Sequence, residues 1–300
     1  MSDQDSVKYL QPNVVAQLST MELRARFVVE GFITGLHRSP YHGFSVEFTE
    51  HRPYMPGDEI RRIDWKAYAK TDRFYVKQYE EETNLKAYLI LDASRSMAFS
   101  SEGRLTKFEY SSYLAAALAY LMVEQRDAVG LTLFDEAVRT SIPPRATRTN
   151  LTTILRELER TQPAQTTGAA RALHLIAEQI KRRSLVIILS DLFDEPGGVL
   201  SAFKHFRYRG NEVVVMQILD PLERSFAFGR DAVFKDMETG EELMTQPWHI
   251  QRAYRESLRE FLSRYQQECL ENNIDYLLLE TSMPYDRALM EYLHKRRRLH

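Results

Sequence analysis

Residues 85–99, LKAYLILDASRSMAF, run an almost wholly apolar segment into an acid and two hydroxyls at alternate positions, Asp92, Ser94 and Ser96. An apolar run without polar alternation is the pattern of a strand covered on both faces, as parallel strands are in α/β proteins. Residues 85–92 are therefore expected to form the first central strand, with the three oxygen-bearing side chains at its carboxyl end.

Working outward, strands and helices alternate. A helix is expected near 107–126, then a strand AVGLTLFD (128–135), an edge strand AVRTSIPP (137–144) and a helix near 148–160. A helix near 168–182 precedes SLVIILSDL (184–192), and a helix near 197–208 precedes EVVVMQILD (212–220). A long amphipathic helix near 248–272 precedes IDYLLLET (274–281), and a last helix opens at Pro284, a residue favoured in a first turn. This order implies an α/β fold: a mostly parallel, Rossmann-like sheet with helices on both faces, over residues 85–300. The turn-like METGEE (237–242) suggests a hairpin insertion near 222–245. Ahead of the sheet, residues 1–84 read as an extension, with a helix over 14–33 and a strand over 41–48 before the turn MPGDE.

Composition narrows the function classes. A chain of 300 residues that is 44% hydrophobic can bury a full core. A formal charge of −2 supplies no global field for nucleic acid or anionic lipid, so neither is expected as a partner. The basic runs at 181–183, 204–209 and 294–298 are better explained as helix ends, where cations complement the dipole. A single cysteine, Cys269, excludes an intrachain disulfide and multi-cysteine metal sites, and suits a reducing compartment. The N-terminus lacks the basic start and apolar run of a signal peptide, and LAAALAYLMV (114–123) falls short of the roughly 20 residues that span a bilayer. A cytoplasmic protein is expected.

The oxygen cluster is the strongest functional signal. Open α/β sheets place ligands beyond the carboxyl ends of their strands. Magnesium wants about six oxygens, more than one loop can supply. Asp191, ending the strand LVIILS, and the paired hydroxyls Thr166 and Thr167 before the helix near Gly168 lie at the same expected edge. Taken singly, each has an ordinary explanation as a turn, a helix cap or a loop carboxylate.

At these residues the chain resembles the von Willebrand factor A fold, whose metal-ion-dependent adhesion site uses D-x-S-x-S, a threonine on a second loop and an aspartate on a third. The resemblance implies a metal site of Asp92, Ser94, Ser96, Thr167 and Asp191, holding Mg2+, with Mn2+ or Ca2+ as alternatives. In such sites the hydroxyls bind the ion directly, the aspartates often act through water, and one position is left for a partner's carboxylate.

The segment RPYMPGDEIRRIDWKAYAK (52–70) is rich in charged and aromatic residues, and its bland explanation is a surface extension tied by ion pairs. In Arg52, Tyr54, Gly57, Asp58, Arg61, Asp64, Trp65 and Lys70, followed by VKQYEEE and the closing TSMPYDRALMEYL, the chain resembles the bacterial domain of unknown function 58 (DUF 58) family. That resemblance implies an adaptor or chaperone-like partner of a MoxR-type AAA+ ATPase that presents a client to it.

Other chemistries are less well supported by the residues. A haloacid dehalogenase-type phosphotransferase needs a second acid two residues after its aspartate, where Ser94 stands. P-loop, G-x-G-x-x-G, H-E-x-x-H and G-x-S-x-G motifs are absent, and the spacing of His37, His42 and His51 fits no established metal site. No catalytic residue is assigned. The alternatives to an adaptor are a metal-dependent hydrolase of phosphate or acyl substrates, and a scaffold with a vestigial site.

Overall fold

The structure, a computed structural model, describes residues 11–38, 51–53, 68, 75–77, 85–101, 103–164, 168–180, 183–228, 232–235, 242–245 and 247–297. In chain order the central sheet is built from β3 (Lys86–Asp92), β4 (Ala128–Phe134), β5 (Val138–Arg145), β6 (Leu185–Ser190), β7 (Glu212–Leu219) and β10 (Asp275–Glu280). Among the described residues, two short ribbons lie outside it. One pairs β1 (His51–Pro53) with β2 (Tyr75–Lys77), the other β8 (Ala232–Lys235) with β9 (Glu242–Thr245), both antiparallel.

The six strands run β10-β7-β6-β3-β4-β5, all parallel except β5, which is antiparallel to β4 at the edge. The burial of the strands explains this order. Every residue of β6 is buried, as expected of a strand between two others with helices on both faces. In β5 partly buried and exposed residues alternate, the pattern of an edge with one wet face. From β3 the sheet grows one way through β4 and β5 and the other way through β6, β7 and β10. The β3–β6 boundary is thus the topological switch point, where α/β sheets open a crevice.

Two apolar layers cover the sheet. One contains α3 (Lys107–Glu124), α4 (Arg148–Arg160), α9 (Tyr285–Arg297) and α2 (Met21–Arg38), packed as one cluster with Leu89, Leu91, Leu131 and Met216. The other contains α5 (Ala169–Gln179), α6 (Pro196–Tyr208) and α8 (Pro247–Glu271) over Ile90, Ile188 and Val215. Successive strand residues point to opposite faces, so neighbours such as Leu89 and Ile90 divide between the layers. The lone thiol, Cys269, is buried in α8, where burial pushes it up to about 12.

The expected helix over 14–33 is instead two, α1 (Pro12–Val15) and α2. Apolar periodicity runs through the join, but the Thr20 hydroxyl accepts from the Leu23 amide at 3.2 Å and starts a new helix there. The helix expected to reach 182 ends at Gln179, with Ile180 as an extended cap. The expected strand over 41–48, the turn MPGDE and most of the 52–70 segment lie outside the described residues.

Candidate functional site

The site begins with the register of β3 and β6. Leu91 pairs with Leu189, which sets Asp92 beside Ser190 at the carboxyl ends of adjacent strands. The Ser190 hydroxyl donates to Asp92 Oδ2 at 2.6 Å and accepts from the Leu192 amide at 2.9 Å. Asp92 Oδ1 accepts from the Ser94 amide at 2.8 Å, which folds the chain into a short 3-10 turn over Arg95–Ala98. That turn brings the Ser94 and Ser96 hydroxyl oxygens to 3.1 Å from each other. Asp92, Ser94, Ser190 and Asp191 are buried, whereas Ser96 is only partly so.

Asp191 follows β6 directly, and both of its oxygens are engaged. Oδ1 accepts from the Phe193 amide at 3.1 Å and Oδ2 from the Lys107 ammonium at 2.7 Å. Lys107, the first residue of α3, also donates to Glu223 Oε1 at 2.6 Å and has no exposed side-chain surface. Glu223 lies in α7 (Pro221–Ser225), where it forms a capping box with Asp220. Asp220 in turn accepts from the Ser101 amide and hydroxyl, each at 2.9 Å. Across the sheet, Gln217 donates to the Asp191 carbonyl at 2.7 Å and accepts from the Tyr276 hydroxyl at 2.5 Å.

The electrostatics follow from this enclosure. Burial, then the neighbouring Asp191, pushes the Asp92 carboxyl up to about 7, against hydrogen bonds from Ser190 and Ser94 that favour its ionised form. Burial acts to lower Lys107, but Asp191 and Glu223 outweigh it and hold the ammonium above its ordinary value. Burial also raises the Glu223 carboxyl despite the Lys107 contact. Asp191 and the partly buried Glu223 share the Lys107 ammonium, while Asp92 stands beside Asp191 and is hydrogen-bonded to Ser190 and Ser94.

Of the residues proposed for a cation, Asp92, Ser94, Ser96 and Asp191 come together at one edge of the sheet. Thr166 and Thr167 lie outside the described residues. Their flanks are placed: the Ala164 amide donates to the Ala93 carbonyl at 3.3 Å, and the Ala170 amide donates to Asp194 Oδ2 at 3.3 Å. Adjacent oxygens around an octahedral magnesium at 2.0–2.1 Å are about 3 Å apart. The Ser94–Ser96 separation fits such an edge. The carboxylates, with each oxygen already accepting from a protein donor, suit hydrogen bonding to an ion's waters better than direct ligation. Among the described residues no group of three or more His, Cys, Asp or Glu side chains forms a metal cage of its own. The side chains of His37, His42 and His51 lie outside the described ones.

Sequence reasoning missed Lys107 and Glu223, and it gave Ser190 no role. Lys107 carried one signal: a cation in the first turn opposes the helix dipole, an unfavourable place for a solvated lysine. D-P-x-E at 220–223 is a legible capping box, though nothing in it points to Lys107. At 204–209 the cations serve helix ends and packing: Arg209 donates to the Ile180 carbonyl, Arg207 to the Asn211 carbonyl, and Lys204 pairs with Glu268.

A doubly covered, mostly parallel sheet with a reversed edge strand and oxygen-bearing side chains at its switch point defines an open, Rossmann-like α/β domain. The chain belongs to the family described as Protein of unknown function DUF58, whose model matches residues 50–267. Uncharacterized proteins of Mycobacterium tuberculosis and Mycobacterium bovis are 29% identical to it over 233 residues, 76% of this chain and 72% of each relative. Similar solved structures include the conserved hypothetical protein BatB from Bacteroides thetaiotaomicron, at 19% identity and a TM-score of 0.47, covering 71% of this chain and 99% of that one. An aerotolerance-related membrane protein from Bacteroides fragilis has 22% identity and a TM-score of 0.47, covering 70% of this chain and 99% of that one. Among the described residues no helix is long and apolar enough to cross a membrane.

Proposed function

We propose that this chain is a protein-binding adaptor that recognises an acidic residue of its partner through a divalent cation. Ser94, Ser96 and Thr167 hold the ion, Mg2+ in preference to Mn2+ or Ca2+, with Asp92 and Asp191 hydrogen-bonded to its waters. The partner is a MoxR-type AAA+ ATPase of the cytoplasm, to which the adaptor presents a client. The observation that carries this reading is the pair of serine hydroxyls, 3.1 Å apart at the switch point, beside the buried carboxyl groups of Asp92 and Asp191. Mostly neutral direct ligands leave an ion electrophilic enough to capture a further carboxylate, so the donor set suits binding.

Mg2+ or Mn2+ is expected to raise the unfolding temperature of the wild type but not of a Ser94→Ala, Ser96→Ala double variant. Equal shifts in both would remove the metal assignment. Affinity purification is expected to recover an AAA+ ATPase, less of it with chelator present or after Asp191→Ala. Metal-dependent turnover of model phosphate or acyl esters, abolished by Asp92→Ala, would instead establish a hydrolase.

A further inference from the structure

Lys107 is a cation built into the wall of the site. Its ammonium bridges Asp191 and Glu223 at 2.7 and 2.6 Å, between the rings of Phe193 and Phe99, whose centroids lie 4.9 and 5.8 Å away. It stands at the helix end whose dipole opposes a positive charge, and it has given up its hydration. Packing alone does not account for it, because an apolar side chain of similar length fills such a space at lower cost.

We propose that Lys107 is a positioning residue that sets how much negative charge the bound cation meets. By holding Asp191, and dividing itself between Asp191 and Glu223, it keeps the ion undercompensated and therefore receptive to a partner's carboxylate. This rests on the metal-dependent binding proposed above.

Two substitutions shift the balance in opposite directions. Lys107→Met removes the charge at similar length and leaves Asp191 fully negative toward the ion. Glu223→Gln removes the competing claim, gives the ammonium to Asp191 and strands no buried charge, so it tests the idea even if Lys107→Met fails to fold. Mn2+ affinity is read from the electron paramagnetic resonance signal of free Mn2+. Carboxylate capture is read from the loss of water-proton relaxation enhancement when the tripeptide Gly-Glu-Gly is added.

Lys107→Met is expected to bind Mn2+ on the order of tenfold more tightly and the peptide more weakly; Glu223→Gln is expected to do the reverse. A purely structural lysine would weaken both together. Parallel changes in the two affinities, or no change in Glu223→Gln, would overturn the role of Lys107 and leave the metal reading standing. Failure of the wild type to bind Mn2+ in a Ser94- and Ser96-dependent way would overturn both.

Discussion

The Ser190 hydroxyl is used twice, as donor to Asp92 and acceptor from the Leu192 amide, and all three residues are buried. Ser190→Ala leaves both partners unsatisfied and is expected to cost about 2–3 kcal/mol of stability, measured by urea unfolding. A loss below about 0.5 kcal/mol would mean that these bonds are not maintained in solution. At this scale the sequence was legible where chemistry follows directly from position. Asp92 and Asp191 each end an apolar run, and a strand's end is where a sheet presents its ligands. The use made of Ser190 was not legible, because it depends on the pairing of β3 with β6, and strands nearly 100 residues apart carry no local sign of their register. Lys107 was hidden for the same reason: both of its carboxylates come from other elements.

Among the elements, the pairing of β4 with β5 depends on Gly130. A Cβ there would stand 2.5 Å from the Ile142 carbonyl oxygen and 2.8 Å from the Pro144 nitrogen, both backbone atoms, where the register shifts between Val129 and Leu131. Gly130→Ala must push the edge strand away and is expected to cost about 1–3 kcal/mol, with earlier hydrogen exchange in β5 than in β6 as the check. Elements with a strong period or a closed apolar run were readable to within a residue or two: β3, β6, β7 and α4 fall where the pattern puts them. The region before residue 20 was not. There the periodicity continues across a helix boundary that one threonine hydroxyl decides, and amphipathicity alone does not register such a cap.

At the level of the whole molecule, α2 is part of the sheet's own core layer. Met21, Ala25, Val28, Val29 and Phe32 are buried in the same cluster as α3 and the strands. Val28→Asp puts an unpaired charge into this interface and is expected to remove more than about 3 kcal/mol, as a single lowered transition detected alike by near- and far-UV circular dichroism. Loss of a small separate transition with the main one unchanged would show that α2 unfolds independently. The strand–helix alternation made the sheet and its covering predictable, since each strand is long enough to show its burial. The docking of α2 was not predictable, because an amphipathic face does not say which surface it meets.

The strand order also decides when the oxygen cluster can exist at all. Its stitches, Lys107 to Asp191, Ser190 to Asp92, Lys107 to Glu223 and Ser101 to Asp220, join segments 84 to 119 residues apart. Each such contact closes a long loop, so the cluster is assembled by the tertiary fold and by no local segment. An ion or partner held by the cluster would therefore require β3, β6, α3 and α7 to be in place together, and no isolated segment of the chain would substitute for them.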